Sequence, residues 1–372
     1  MSQAGLPRCA CPFSKGGNDY TKTCILVKGY LLALFVVQYS NKMRPKPANI
    51  TKDDTVLDQV LRPKAWDDFN GQDRVKRALK VLIDASKKRT ASCDHILFYG
   101  PAGLGKTTLA YLIAHELEKT LTVTSGPTIK KTGDIAALLT NLEPGDVLFI
   151  DEVHRLNKQI GEVLYPAMES GSLHLMIGSG PSARSLELKL PPFTLIAATT
   201  HPSLLSNPLR SRFGSIHHLE YYQQEDIENI ISRSANLLNI TVHESAVPPL
   251  AQASRATPRT ANRLLKRTWD VALVDDAPTI TSKIVAKMLD LLGIDSLGLE
   301  RIDVEFLTLI AKKFHGGPVG IQTLAVALNE ERETLEDLCE PYLIRLGFLE
   351  RTSRGRTLTT HGYAYLQKAN QL

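Results

Sequence analysis

Two apolar rhythms alternate along the chain from Leu61 onward. Residues 95–99 (HILFY), 146–150 (DVLFI) and 193–198 (FTLIAA) are short and apolar at successive positions, the pattern of strands buried on both faces of a parallel sheet. Helical spacing runs between them, clearest over 107–118, so strand and helix alternate as in an α/β sheet wrapped by helices. Within this region 174–177 and 185–190 flank the turn sequence GSGPSA, and Leu186, Leu188 and Leu190 alternate. That pattern predicts a β-hairpin, over about 173–190, protruding from the α/β core. Past Tyr222 the strands stop. Periodicity over 224–238, 248–253, 258–274 and 282–291 predicts a small all-α domain. The stretches 304–313, 321–328 and 331–346, followed by the short segment 348–360, predict three helices and a hairpin, the arrangement of a winged helix. The expected organisation is an α/β domain over 43–222, a helical domain over 223–298 and a winged helix over 299–372, preceded by an atypical extension, 1–42.

That extension changes how the charge is read. The whole chain carries a formal +5, but Arg8, Lys15, Lys22, Lys28 and Lys42 stand against Asp19 alone in the first 42 residues, a net of +4. The body is near +1, so any contact with nucleic acid must rest on local arginines and not on an overall basic field. The apolar run 24–39 is interrupted by Lys28, is shorter than the ~20 residues that cross a bilayer, and lacks a small-residue cleavage site. No membrane association is expected, and Met43 is an alternative start. Five cysteines without zinc-site spacing exclude a disulfide framework and fit a reducing, cytoplasmic setting. At 372 residues, 43% hydrophobic and 22% charged, the chain has the composition of a soluble globular protein with more than one core.

The candidate chemistry sits at the strand ends. After the first strand, Gly100-Pro101-Ala102-Gly103-Leu104-Gly105-Lys106-Thr107 has the spacing G-x-x-x-x-G-K-T between a strand and a helix. Gly100, Gly103 and Gly105 let backbone N–H groups converge on phosphate oxygens, and a helix N-terminus adds partial positive charge. Lys106 is placed to neutralise β/γ charge and the Thr107 hydroxyl to ligate Mg²⁺. The second strand ends in Asp151-Glu152, at the carboxyl edge where ligands bind in open α/β sheets. Asp151 is the second metal-shell candidate and Glu152 the general base for an attacking water. The third strand ends in Thr199-Thr200; either could bond that water or the γ-phosphate, and Thr200 is taken as the candidate. In the following PLRSRFG, Arg210 and Arg212 are charges that one subunit could aim at a neighbour's ATP, with Arg212 as the catalytic candidate.

Taken in order, DHILFYGPAGLGKTTLA, DVLFIDEVHRL, YPAME, MIGSGPSARS, LPPFTLIAATT, PLRSRFG, TPRTANRLLKR and EPYLIRLGFLERTSRGR resemble an AAA+ ATPase of the RuvB family, over roughly the 300 residues from Leu61 to the C-terminus. The resemblance implies a RecA-like ATPase domain, a helical lid and a winged-helix DNA-binding domain. It implies an ATP-hydrolysing, Mg²⁺-dependent DNA helicase that drives branch migration of Holliday junctions in recombination and repair. Leu61, Arg62, Thr108 and Tyr222 would approach the nucleotide, and Arg259, in TPR at the start of a helix, would contact the γ-phosphate from the lid. The hairpin would dock on a RuvA-type junction-binding protein, a RuvC-type resolvase would be a further partner, and the chain would form a ring, as a hexamer. Arg351, Arg354 and Arg356, bunched in RTSRGR, would meet phosphates of four-way and duplex DNA without reading sequence. Departures from the family pattern are Ala102 for a proline, Asn70 for an apolar residue, Ala256 for a glycine and His201 for an arginine. The alternatives are a clamp-loader-like AAA+ factor that remodels a protein assembly, and a nucleotide-regulated DNA-binding module without turnover. A general base and a trans arginine speak against the latter, because binding alone needs neither.

Overall fold

The computed structural model describes residues 59–177 and 184–369, together with a short antiparallel pair, Ile25–Val27 with Tyr30–Leu32, in the separate unit formed by the first 48 residues. The other expectations for 1–42, and the hairpin tip GSGPSA, lie outside the described residues. Among those described, no helix is long and apolar enough to cross a membrane.

Five parallel strands form the central sheet: β1 (Ile96–Tyr99), β2 (Leu121–Ser125), β3 (Val147–Asp151), β6 (Thr194–Thr199) and β7 (Ser215–His218), in the order β2-β3-β6-β1-β7. Strands β1, β3 and β6 are the three expected ones, each beginning one residue later than expected. Their side chains alternate between two cores, as a period of two requires. Ile96, Phe98, Val147, Phe149, Ile196 and Ala198 face one core; Leu97, Leu148, Ile150, Leu195 and Ala197 face the other. Burial on both faces explains the unbroken apolar runs. The sheet also has two edge strands that the sequence pattern did not mark. Strand β2 reads LTVTS, with Val123 exposed, and β7 reads SIHH; an edge strand with one wetted face carries no apolar run.

Helices α1 (Asp73–Arg89), α2 (Lys106–Glu116), α3 (Thr132–Thr140) and α4 (Lys158–Ser170) cover the sheet. After α4 the hairpin forms as expected: β4 (Ser172–Ile177) pairs antiparallel with β5 (Arg184–Lys189), Ser172 opposite Lys189 and Ile177 opposite Arg184. Leu173 is buried and Leu188 and Leu190 pack on the core, whereas Leu186 is exposed.

The lid consists of α5 (Gln224–Leu238), α6 (Val247–Ala253), α7 (Pro258–Val274) and α8 (Ser282–Leu292). Its apolar faces merge with the first sheet core through Leu61, Phe69 and Tyr222, so lid and sheet share one hydrophobic cluster beside the phosphate loop. The last part has its own core, built from α9 (Arg301–Lys313), α10 (Ile321–Leu328) and a continuous helical stretch, α11 (332–345), whose middle, Leu335–Cys339, is a π-helix. A two-stranded wing, β8 (Leu349–Thr352) with β9 (Gly355–Leu358), follows, and then a further helix, α12 (Thr360–Lys368), capped by the Thr359 hydroxyl. Val319 and Arg356 exchange backbone hydrogen bonds beside the wing. Gly355 (φ +140°) permits that approach, since a Cβ there would lie 2.4 Å from the Val319 carbonyl oxygen. Lid and winged helix are joined by Arg255, which donates to the Gly298 and Leu338 carbonyls and pairs with the buried Asp303. Cys93 and Cys339 are buried free thiols.

Candidate active site

The carboxyl ends of β1, β3 and β6 open on the same edge of the sheet, and a cleft of about 290 Å³ lies there, closed on its far side by the lid. From the phosphate loop and the start of α2, Gly103, Gly105, Lys106, Thr107 and Thr108 line it; from β3, Asp151 and Glu152; after β6, Thr200. Leu61 and Arg62 enter from the amino-terminal side, Tyr222 from the domain junction and Arg259 from the first turn of α7.

Each glycine of the loop has its own constraint. Gly100 (φ +138°) passes so close to the strand end after β7 that a Cβ would meet the Leu219 carbonyl at 2.4 Å. It shapes the loop without lining the cleft: its N–H donates to the Thr199 carbonyl and its own carbonyl receives Lys106 Nζ at 2.8 Å. Gly103 (φ +80°) faces Arg259, whose Cβ would stand 3.2 Å from an added methyl, so the lid helix packs directly on the loop. Gly105 (φ +95°) is the N-cap of α2. The N–H groups of that first turn have no intrahelical partner and face the cleft, the arrangement that binds phosphate.

Lys106 is buried, its ammonium also donating to the Pro101 carbonyl at 2.8 Å. Burial pushes its pKa down to about 8, against the pull of Asp151 and Glu152, with Arg259 adding to the depression. A lysine so desolvated gains from an incoming polyanion. Asp151 Oδ1 accepts the Glu152 N–H at 2.9 Å. Glu152 itself adopts a left-handed backbone (φ +48°, ψ +45°), an unfavourable conformation for a side-chain-bearing residue of the kind that concentrates at functional sites. Thr199 is fully buried, its hydroxyl bonded to His154 Nδ1 at 2.9 Å and to the His201 N–H, so it is a supporting residue of the strand end and Thr200 alone reaches the cleft. Burial lowers the His154 pKa, and the neighbouring His201 lowers it further.

Tyr222 is buried, with its hydroxyl donating to the Leu104 carbonyl at 3.1 Å and its ring against Gly71. Arg62 stacks over the Tyr111 ring at 4.0 Å. The cleft also includes Asp68, Arg233 and Asn262, which sequence reading did not identify. Arg233 bonds the Leu61 carbonyl at 2.9 Å and lies 3.7 Å from Asp68, fixing the amino-terminal segment on the lid. Arg233 and Asn262, isolated polar positions on amphipathic helices, carry no distinguishing sequence signal.

Two groups of candidates lie elsewhere. Arg210 is exposed, and Arg212 rests over the Tyr165 ring and pairs with Glu169 at 3.0 Å; neither lines the cleft of its own chain. In the wing, Arg351 and Arg354 are exposed, but Arg356 is not. The expected trio is corrected to a pair on the outer surface. Arg356 is only 7% exposed and its guanidinium donates to Glu340 at 2.7 Å and Glu336 at 3.2 Å, both on α11. Arg351 and Arg356 are cross-strand partners on one face of the hairpin and both approach Glu340, but Arg351, with Nε at 3.8 Å, stays exposed whereas Arg356 is covered.

Metal binding is constrained by the donor set. Among the described residues no group of three or more His, Cys, Asp or Glu forms a dedicated metal cage. The cleft offers instead the hard oxygens of Thr107 and Asp151, the sparse set that suits an ion arriving with phosphate oxygens and water.

Three family models tile the chain. The Holliday junction DNA helicase RuvB P-loop domain matches residues 61–219, the RuvB AAA lid domain 222–295 and the RuvB C-terminal winged helix domain 296–367. Curated relatives described as Holliday junction branch migration complex subunit RuvB are 49% identical in Fusobacterium nucleatum, over 84% of this chain and 94% of that one, and 52% identical in Dehalococcoides mccartyi, over 87% and 93%. A solved structure of the Thermotoga maritima RuvB Holliday junction branch migration motor superposes with a TM-score of 0.76 at 46% identity, covering 83% of this chain and 99% of that one. With all three domain models in order and half of all positions shared over most of the chain, the protein belongs to the RuvB family of AAA+ ATPases.

Proposed function

We propose that this chain is the ATP-driven motor of Holliday junction branch migration, working in the cytoplasm as a ring of identical subunits, with six as the expected number. The observation that carries this reading is the convergence of Lys106, Thr107, Asp151, Glu152, Thr200 and Arg259 on one cleft between sheet and lid, in a chain of the RuvB family. The phosphate loop and α2 bind the triphosphate, and Lys106 offsets the β/γ charge. Thr107 and Asp151 are the residues that would hold Mg²⁺, which would supply charge stabilisation for the phosphates. Glu152 takes a proton from the attacking water while Thr200 orients it. Arg259 reports the state of the γ-phosphate to the lid. Arg212, remote from its own cleft, reaches the neighbouring subunit's nucleotide, where a guanidinium stabilises charge spread over the transferring group.

Arg351 and Arg354 contact duplex phosphates without sequence preference, as a translocating machine requires. The exposed side of the hairpin around Leu186 docks on a RuvA-type junction-binding protein, and a RuvC-type resolvase joins the same junction. The clamp-loader-like alternative has no observation in its favour, because the winged-helix and lid matches are specific to RuvB. The test is DNA-stimulated ATP hydrolysis: Glu152→Gln retains ATP binding and loses turnover, whereas normal turnover in that variant would remove Glu152 from the chemistry.

A further inference from the structure

Two residues that flank the catalytic cleft are gripped from the winged-helix domain. Arg155, three residues beyond Glu152 in the 3₁₀ turn after β3, places Nε 3.6 Å from Glu152 Oε2 and Nη2 3.3 Å from Glu333 Oε2. His201, next to Thr200, bonds the Thr200 hydroxyl through Nδ1 at 2.9 Å and Asp337 Oδ1 through Nε2 at 2.9 Å. His154, the neighbour of Arg155, lies beside His201 with ring centroids 5.1 Å apart, and the Thr199 hydroxyl bonds both the His154 ring and the His201 backbone N–H. Glu333 and Asp337 are four apart on α11 and so share a face. The same stretch holds Glu336 and Glu340, also four apart, which grip Arg356 of the wing. One helical stretch thus connects the general-base candidate to the wing strand beside the exposed arginines, and its centre is a π-helix, a feature frequent at functional sites.

The geometry points to a latch: Glu333 and Asp337 of the winged-helix domain hold Arg155 and His201, and Arg155 in turn positions the Glu152 carboxylate away from the attacking water. Arg155 is a positioning residue, acting on the reaction through Glu152. When the wing engages duplex DNA, α11 shifts with it, the two pairs open and Glu152 is released, so hydrolysis follows DNA engagement. The partners are all partly exposed, and pairs of that kind are weak. Weakness suits the role, because a modest displacement of α11 opens them. His201, where the family pattern has arginine, keeps a hydrogen-bonding group for Asp337 and for Thr200.

The inference rests on the reading of Glu152 as general base, and the two are separable. Steady-state ATP hydrolysis by the full chain is measured with and without duplex DNA for the wild type, Glu333→Gln/Asp337→Asn, Arg155→Met, and the three changes combined. In the double variant, turnover without DNA is expected to rise about fivefold, two weak pairs' worth. KM for ATP and turnover with DNA stay unchanged, so stimulation by DNA collapses. Arg155→Met, which frees Glu152 directly, gives the same rise, and the combined variant no more than either, since the latch acts on Glu152 only through Arg155. Unchanged stimulation in the double variant, a change confined to KM, an equal loss of rate with and without DNA, or additive effects would each overturn the latch. Glu152→Gln is run beside them: if it is inactive while the latch variants match wild type, the latch fails and the base stands; if it turns over normally, the base reading fails.

Discussion

Arginines two positions apart in the wing have different physical lives. Arg356 is buried against Glu336 and Glu340, and truncating it strands the buried Glu340 carboxylate, while Glu336 keeps Arg332. Arg356→Ala is therefore expected to destabilise the winged-helix domain by about 3 kcal/mol, read as a lowered denaturation midpoint. Arg354, exposed, is expected to leave that midpoint in place when changed to alanine. Its loss weakens duplex binding uniformly across sequences and reduces the slope of log affinity against log salt by about 1. Ala256 makes a third case. It sits at φ +53°, beside Arg255 at φ +54°, in the turn that delivers Arg259 to the cleft. A left-handed backbone costs an L-residue about 1–2 kcal/mol, partly offset by the greater unfolded-state freedom of glycine. Ala256→Gly should stabilise the lid by about 0.5 kcal/mol, and a midpoint unmoved or lowered would show the turn is not strained. At this scale the residues legible in sequence were those whose spacing has a direct chemical reason: the phosphate loop and the carboxylates after a strand. Arg233 and Asn262 were not legible, because a polar side chain on an amphipathic helix looks the same whether it faces a ligand or water. Burial of Arg356 was hidden for the complementary reason, that its partners lie sixteen and twenty residues earlier.

Among the elements, visibility followed burial. Strands β1, β3 and β6 could be read from their apolar runs because both faces are covered; β2 and β7 could not, because each is an edge. The hairpin β4–β5 was legible through alternation, and the structure adds which leucines are spent on the core. Leu173 and Leu188 pack inward, leaving Leu186 on the outside. Leu186→Asp is expected to leave ATP hydrolysis by the isolated chain unchanged and to weaken capture by a RuvA-type partner by tenfold or more, measured by titration calorimetry; equal affinity would place the docking surface elsewhere. In the wing, Gly355 carries a constraint of the opposite kind. A methyl group at φ +140°, 2.4 Å from the Val319 carbonyl, has no room, so Gly355→Ala should cost more than about 1 kcal/mol and loosen β8–β9.

Across the whole molecule, the cleft is a meeting of parts. The phosphate loop comes from the sheet, Arg259 from the lid, and through Arg155 and His201 the winged helix has a hand on the same site. Lid and winged helix are themselves tied by Arg255 and Asp303, and Arg345 of α11 bonds the Tyr222 carbonyl at 3.1 Å. The class of each part was readable from the chain; these contacts between parts were not, because each depends on pairs far apart in sequence. These contacts give the proposed motor a physical route from the nucleotide cleft to the lid and to the wing. The most direct measurement is migration of a synthetic four-way junction by the purified chain with a RuvA-type partner, ATP and Mg²⁺, using wild type, Lys106→Ala and Glu152→Gln. Wild type should resolve the junction into duplex products at a rate set by ATP concentration, while both variants leave it intact. Migration that continues without ATP, or in Glu152→Gln at the wild-type rate, would contradict an ATP-driven motor built on this cleft.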